Sequence, residues 1–408
     1  MDAENQQSSR EDADDEKRGF VRAGKMPLPL RRRHVVSDGL KIMLCFAILA
    51  YGHCLLAVVS SRSIADSSCR IIGEAYWISS LRAGNRRINN DEFDHLFSSR
   101  NLRGNFSIWD DEHQAFIRNA TPVPVHSHND YKHRIPLFEA LASGCISIEA
   151  DVHLIDGDLR VGHHARGLKS TQSLRAMYLE PLQRMLDSRN PGLLNATDRS
   201  SWRGIFDKNP KQTTVLLIDH KGIGKDVFAE VYKQLQALRE LDYLTYWNGS
   251  ARVVRPLTIV ATGKAPFESI LGLSDTHRDI FWDAPLAALP SASDDFIMDP
   301  PSFKYNQSNS YYASTQYRKR NDVGWRPEES DESLLEAQNR DLAATQAEQA
   351  VTRGLLSRYW ETPKGPPNLR DTVWRWSIGL KTGVTNMDEM GIVRDRSGGW
   401  GKIPELAT

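Results

Sequence analysis

Cysteine is scarce in this sequence, with four in 408 residues. Cys45 and Cys54 stand inside an apolar run, so Cys69 and Cys145 are the one pair that could bridge outside it, and a disulfide scaffold is excluded. A surplus of charge of either sign is also missing. The 52 basic side chains are balanced by 52 acidic ones, which gives no support to a nucleic-acid partner. Internal repeats are absent, which excludes a solenoid. Long apolar runs are absent too, with one exception.

The exception is Ile42–Val59, IMLCFAILAYGHCLLAVV, which holds no formal charge. As a helix it would be roughly 27 Å long, close to the hydrocarbon thickness of a bilayer. The run exceeds the ~7–15 residues of a cleaved signal core, and a long polar segment precedes it. Residues 39–60 are therefore read as one uncleaved transmembrane helix, and residues 1–38, almost without apolar content, as a disordered segment. Lys25, Arg31, Arg32, Arg33 and Lys41 precede the run, whereas only Arg62 and Arg70 follow it closely. That bias puts the N-terminus in the cytosol and the remainder in a lumenal or extracellular space. Five glycosylation sequons agree with this, at Asn105, Asn119, Asn195, Asn248 and Asn306, all beyond the apolar run.

Residues 61–115 read as a polar stem. From there to about residue 405 the texture changes, and short β-rich runs alternate with amphipathic stretches: VPVH, CISIEADVHL, LRVGHH, TTVLLIDHK, LTIVATG, IFWDA, then FIMD, RYWET and VTNMD. Helical patterns run over SLRAMYLEPLQRMLDS, DVFAEVYKQLQALREL and SLLEAQNRDLAATQAEQAVTRGLLSR. This alternation implies an α/β domain with a parallel sheet. Eight strands over that span suit a TIM (β/α)8 barrel covering 116–405.

Chemistry enters with ISIEADVHL. Side chains at i and i+2 on a strand share a face, so Glu149 and Asp151 project together. Two acids on one buried face repel, and a divalent cation relieves the conflict; pairing with Arg, Lys or helix N-termini is the structural alternative. In TTVLLIDHK, Asp219 and Lys221 repeat the i, i+2 spacing. They read either as a third carboxylate with a cation for an anionic substrate, or as a buried ion pair. His126 follows VPV and His163 follows LRV, and imidazoles near such acids suit acid–base work.

Taken together, His126-x-x-Asn129, Gly144…Glu149-x-Asp151, Asp156-Gly157…Val161-Gly162-His163 and Asp219-x-Lys221 resemble the glycerophosphodiester phosphodiesterase and phospholipase C superfamily, which also contains the spider-venom phospholipase D enzymes. HSHNDY, IEADVHL, LRVGHH, MYLEPL and RYWETP are most similar to the fungal altered inheritance of mitochondria protein 6 family, over roughly residues 115–395. The resemblance implies a single Mg²⁺ or Ca²⁺ held by Glu149, Asp151 and Asp219. It implies His126 and His163 as the acid/base pair, and Lys221, Asn129 and Trp360 as substrate-binding residues. Asn386 and Asp388 resemble the end of the last strand. Two departures stand out: HSH replaces the usual HRG, and a loop shortened by one residue leaves His163 or His164 for the second imidazole, with strand alternation favouring His163.

The resulting expectation is a membrane-anchored, metal-dependent phosphoric diester hydrolase acting on a glycerophosphodiester or lysophospholipid. Two other readings stand beside it. His126-x-His128 could open a zinc amidohydrolase-like site, although zinc's preference for nitrogen fits poorly with the later acids. A catalytically inert anchored glycoprotein could also keep the barrel for binding.

Overall fold

A computed structural model describes residues 92–97, 107–196, 198–289, 304–317, 332–365, 367–380 and 383–395. The apolar run 42–59, the segment before it, Asn105 and FIMD (296–299) lie outside the described residues. Among the described residues no helix is long and apolar enough to cross a membrane.

The strands are β1 (Val123–Ser127), β2 (Cys145–Ile155), β3 (Asp158–Val161), β4 (Thr214–His220), β5 (Tyr246–Trp247), β6 (Arg252–Val253), β7 (Leu257–Gly263), β8 (Ile280–Pro285), β9 (Ser310–Gln316), β10 (Leu356–Trp360) and β11 (Val384–Met387). Eight of them run parallel in the order β1-β2-β4-β7-β8-β9-β10-β11, and β11 pairs back onto β1. The sheet is thus a closed barrel with the TIM arrangement, and its C-terminal rim is built by the segments that follow the strands. Most of these strands are apolar runs of four to eight residues because both faces are covered. Ile148, Ala150 and Val152 alternate with Ser147, Glu149 and Asp151 along β2, and all six are buried. Pro124 cannot donate to a ladder, and the β1–β2 register slips between Val123 and His126, where it stands.

Two strand expectations are corrected. LRV is β3, which pairs antiparallel with the tail of β2 and is not a stave of the barrel. The sixth stave is β9, SYYASTQ, which the alternation reading passed over. In addition, part of the segment read as stem belongs to the folded unit. Helix Glu92–Leu96 brings Phe93, and the turn after it Phe97, into the main core cluster. The two rings stack at 4.4 Å, and Asp94 pairs with Arg134 at 2.6 Å. Cys145 is a free, fully buried thiol against Met390 Sδ (3.5 Å), so it makes no bridge.

On the outside, helix Glu332–Thr352 turns Ala343, Ala347 and Ala350 inward at i, i+4 and i+7. Small residues on one face let it lie close to the sheet. Helix Gly224–Gln234 buries Val227, Phe228 and Val231 in the same way.

Candidate active site

The register of the sheet sets the centre of the site. Asp151 of β2 and Asp219 of β4 are direct parallel partners near the C-terminal end of the stretch over which the two strands pair, and Glu149 lies one repeat below Asp151 on the same face. A ligand oxygen from each of the three lies within 4.8 Å of the others. Glu149 and Asp151 are buried and Asp219 nearly so. Asp151 Oδ1 and Asp219 Oδ1 are buried with no hydrogen-bond partner among the described residues. Buried carboxylate oxygens left unsatisfied cost free energy unless a cation takes them. An all-oxygen donor set with such atoms fits Mg²⁺ or Ca²⁺ and does not fit zinc's preference for nitrogen and sulfur.

Lys221 Nζ reaches Asp219 Oδ2 at 2.6 Å and Asp151 Oδ2 at 3.4 Å. Burial pushes the Asp219 carboxyl up to about 6, a rise that Lys221 partly opposes and Asp151 reinforces. Glu149 goes the other way. Burial raises it, but the hydrogen bond from His126 and the charge of Arg358 together hold it well below the usual carboxylate range.

The end of β1 and the loop after it give every residue of HSHNDY a contact. His126 is fully buried, with Nδ1 2.7 Å from Ser147 Oγ and Nε2 3.1 Å from Glu149 Oε2. Its pKa is lowered to about 4 by burial and by Arg358, so the imidazole is neutral near pH 7. Ser127 Oγ donates to Asp130 Oδ1 (2.8 Å). His128 Nδ1 meets Asp388 Oδ1 at 2.9 Å, and its Nε2 stands 4.0 Å from Glu149 Oε2. Asn129 adopts φ 50°, a left-handed conformation that Asn tolerates. Asp130, fully buried, fixes the turn by accepting from the Leu137 amide (2.6 Å) and the Tyr178 hydroxyl (2.9 Å) through Oδ2. Burial raises its carboxyl despite those donors. The Tyr131 hydroxyl donates to Asp151 Oδ2 (2.8 Å) and also contacts the Asn129 side chain.

The second imidazole is carried by the β2–β3 hairpin, because β3 is not a barrel strand. Gly162 N bonds Asp151 O at 3.0 Å, which returns the chain to the acid cluster. His163 Nδ1 then lies 3.0 Å from Asp151 Oδ2, with its side chain half exposed. His164 touches the His163 ring edge-on at 4.6 Å and is exposed. Of the residues singled out from sequence, the structure thus gathers Glu149, Asp151, Asp219, His126, His163, Lys221 and Asn129. Trp360 is half-buried at the end of β10, and its carbonyl accepts from the Tyr317 amide at 2.7 Å. The inward residue of that strand is Arg358. It bonds Ser314 Oγ (3.0 Å), Asn386 Oδ1 (3.2 Å) and Asp283 Oδ2 (3.4 Å) inside the barrel. Tyr131, Asp130 and Arg358 were not legible as site residues in the sequence. The i, i+2 alternation that exposed Glu149 and Asp151 could have found Arg358 two residues before Trp360.

Fold and site together define a TIM barrel with an oxygen-ligand acid cluster and two imidazoles at its C-terminal rim. Residues 114–283 match the AIM6-like phosphodiesterase domain, a span that runs from before β1 to within β8 and holds the acid trio, both imidazoles, Lys221, Asn129, Asp130 and Tyr131, but not Arg358, Trp360 or Asp388. An altered inheritance of mitochondria protein 6 homolog of Arthroderma benhamiae is 33% identical over 282 residues, covering 67% of this chain and 83% of that protein. Altered inheritance of mitochondria protein 6 of Eremothecium gossypii is 30% identical over 274 residues, covering 66% and 68%. The Saccharomyces cerevisiae protein is 28% identical over 290 residues, covering 67% and 70%. This chain belongs to the altered inheritance of mitochondria protein 6 family and carries its phosphodiesterase-like domain. Among solved structures, phosphatidylinositol-specific phospholipase C from Listeria monocytogenes is similar, with a TM-score of 0.37 and 11% identity over 69% of this chain and 93% of that one.

Proposed function

We propose that the protein is a metal-dependent phosphoric diester hydrolase acting on a glycerophosphodiester or phospholipid-type substrate. The observation that carries this reading is the trio Glu149, Asp151 and Asp219, with two buried oxygens left without hydrogen bonds. These three residues would hold Mg²⁺ or Ca²⁺, which when bound neutralises phosphate charge and stabilises charge developing on its oxygens. Lys221 adds a second positive charge beside the acids. Tyr131 and Lys221 both bond Asp151 Oδ2 and turn that carboxylate. His163, held through Nδ1 by Asp151 and half exposed, moves a proton on the open side. His126 is proposed as its partner on the inner side: neutral, with its proton on Nε2 toward Glu149, it can accept a proton only at Nδ1, where Ser147 Oγ now donates. Asn129 and Trp360 are proposed to contact the substrate around the rim.

We further propose, from the apolar run 42–59 and its flanking charge, one transmembrane helix over residues 39–60 with the barrel lumenal or extracellular. The test of the hydrolase reading is a screen of the purified full-length chain in detergent against glycerophosphodiesters and lysophospholipids with Mg²⁺, Ca²⁺ or chelator. Turnover should require metal and vanish in Asp151→Asn and Glu149→Gln while thermal melting stays cooperative. Undiminished turnover in excess chelator would rule the reading out.

A further inference from the structure

One cavity adjoins the acid cluster and has no part in holding it. It has a volume of about 160 Å³ and lies between the segment after β10, helix Pro367–Gly379 and the end of β11. His128 lines it and also stands 4.0 Å from Glu149, so cavity and cluster share a wall. A phosphodiester with its phosphate at the cluster must send one ester arm in some direction, and this cavity opens beside it. We infer that the cavity between Lys364, Trp374 and Asp388 is a subsite for a small neutral polyhydroxyl group, the alcohol arm of the substrate. The inference rests on the reading of the acid cluster as a phosphodiester site.

Three features decide the class of ligand. First, pockets for drug-sized ligands run to roughly 300–1,000 Å³, and this cavity suits a smaller group. Second, a quaternary ammonium needs an open aromatic face or an unpaired carboxylate. The Trp374 ring is already covered by the Arg370 guanidinium at 4.8 Å. Asp388 is already neutralised twice, by His128 Nδ1 at Oδ1 (2.9 Å) and by Lys364 at Oδ2. Third, those same pairs leave hydrogen-bonding capacity unspent. An ammonium has three donors and a carboxylate about four acceptor positions, of which each contact uses one. Donors and acceptors are therefore both present in the lining, together with Thr362 and Trp374. Vicinal hydroxyls, each both donor and acceptor, match such a lining. A site built to bond hydroxyls also rejects analogues that lack them.

The experiment reads binding without turnover. Saturation-transfer NMR is run on the full-length chain with myo-inositol, with glycerol and with choline chloride as separate probes. It is repeated on Ile392→Trp, which fills the cavity, and on Lys364→Met, an exposed change that leaves the barrel core untouched. Transfer to the polyols and not to choline is expected, weakened at least tenfold in both variants, with unchanged melting temperatures. Transfer to choline but not to polyols, transfer to none of the probes, or polyol signals that persist in Ile392→Trp and in Lys364→Met would each overturn the inference. If Ile392→Trp does not fold, Lys364→Met decides alone. Polyol binding without any diester cleavage would sink the phosphodiesterase reading and with it the role of the cavity as an ester-arm subsite, leaving a polyol-binding cavity alone. Cleavage without polyol binding would overturn the inference and leave the phosphodiesterase reading standing.

Discussion

Gly263, at the end of β7, lies so close to Asp219 that a Cβ built on it would stand 1.9 Å from Asp219 Oδ1. Its φ of +67° is one that residues with a side chain rarely adopt. Asp219 and Thr262 are register partners, so the next residue of β7 turns away just where the carboxylate needs room. Gly263→Ala should push Asp219 off its position beside Asp151. Metal affinity should fall about 10- to 100-fold, the usual cost of disturbing the surroundings of a metal ligand. Calorimetric titration with Mg²⁺ and Ca²⁺ checks this, and unchanged affinity would show that the carboxylate is not held by that contact.

The acid cluster was legible because strand alternation is local. Glu149 and Asp151 are two residues apart, and so are Asp219 and Lys221, and each pair needed only its own strand. What the sequence could not reveal was pairing across the barrel. Arg358 meets Asp283 across 75 residues and Asn386 across 28; alternation with Trp360 could mark its face of the strand, but nothing local names the groups it pairs with. The sixth stave, β9, begins in a polar stretch, NQSNS, and therefore lacked the apolar texture of its neighbours. His163 was expected at the end of a barrel strand. It reaches the cluster instead through a hairpin that extends β2, an outcome that the spacing of charges and apolar residues does not distinguish.

The buried ion pair makes its own prediction. Arg358 and Asp283 are both buried, and the carboxyl also accepts from Thr262 Oγ1 at 3.0 Å. Removing one member leaves the other without its partner, typically at a cost of 3–5 kcal/mol, whereas replacing both with apolar residues is often nearly neutral. Arg358→Met should therefore lower stability by about 3–5 kcal/mol, and Arg358→Met with Asp283→Leu should recover most of it. Urea unfolding measures both. A double variant no more stable than the single one would mean that the bonds of Arg358 to Ser314 and Asn386 matter more than the charge pair.

Topology can be tested at the sequons. Asn119, Asn195 and Asn248 are exposed, whereas Asn306 is half-buried and its Oδ1 accepts from the Ser308 amide at 2.9 Å. With the barrel on the lumenal side, glycans are expected on one or more of the first three and not on Asn306. Glycosidase treatment should then shift the mobility of the chain, and the barrel should resist protease added outside sealed microsomes. Digestion of the barrel from the cytosolic face would reverse the proposed orientation.

The two imidazoles differ in a way that separates their predicted defects. His163 is half exposed and touches the cluster only through Nδ1, so His163→Ala should leave the fold intact and lower turnover about 10²- to 10⁴-fold, as expected for a lost general acid or base. His164, exposed and in edge contact with His163, is the control, and His164→Ala should retain most activity. His126 is enclosed, with one nitrogen on Ser147 and the other on Glu149. His126→Ala should therefore lose turnover and also stability, by about 1–3 kcal/mol for the buried groups left without a partner. Combining His126→Ala with His163→Ala should slow turnover little beyond either single change, since residues that act as one unit are non-additive. Melting curves beside single-turnover rates distinguish the cases. If His164→Ala is the inactive variant and His163→Ala is not, the contact to Asp151 has a structural role only and the second imidazole is His164. If His126→Ala melts normally and turns over normally, the acid–base pair as proposed does not exist.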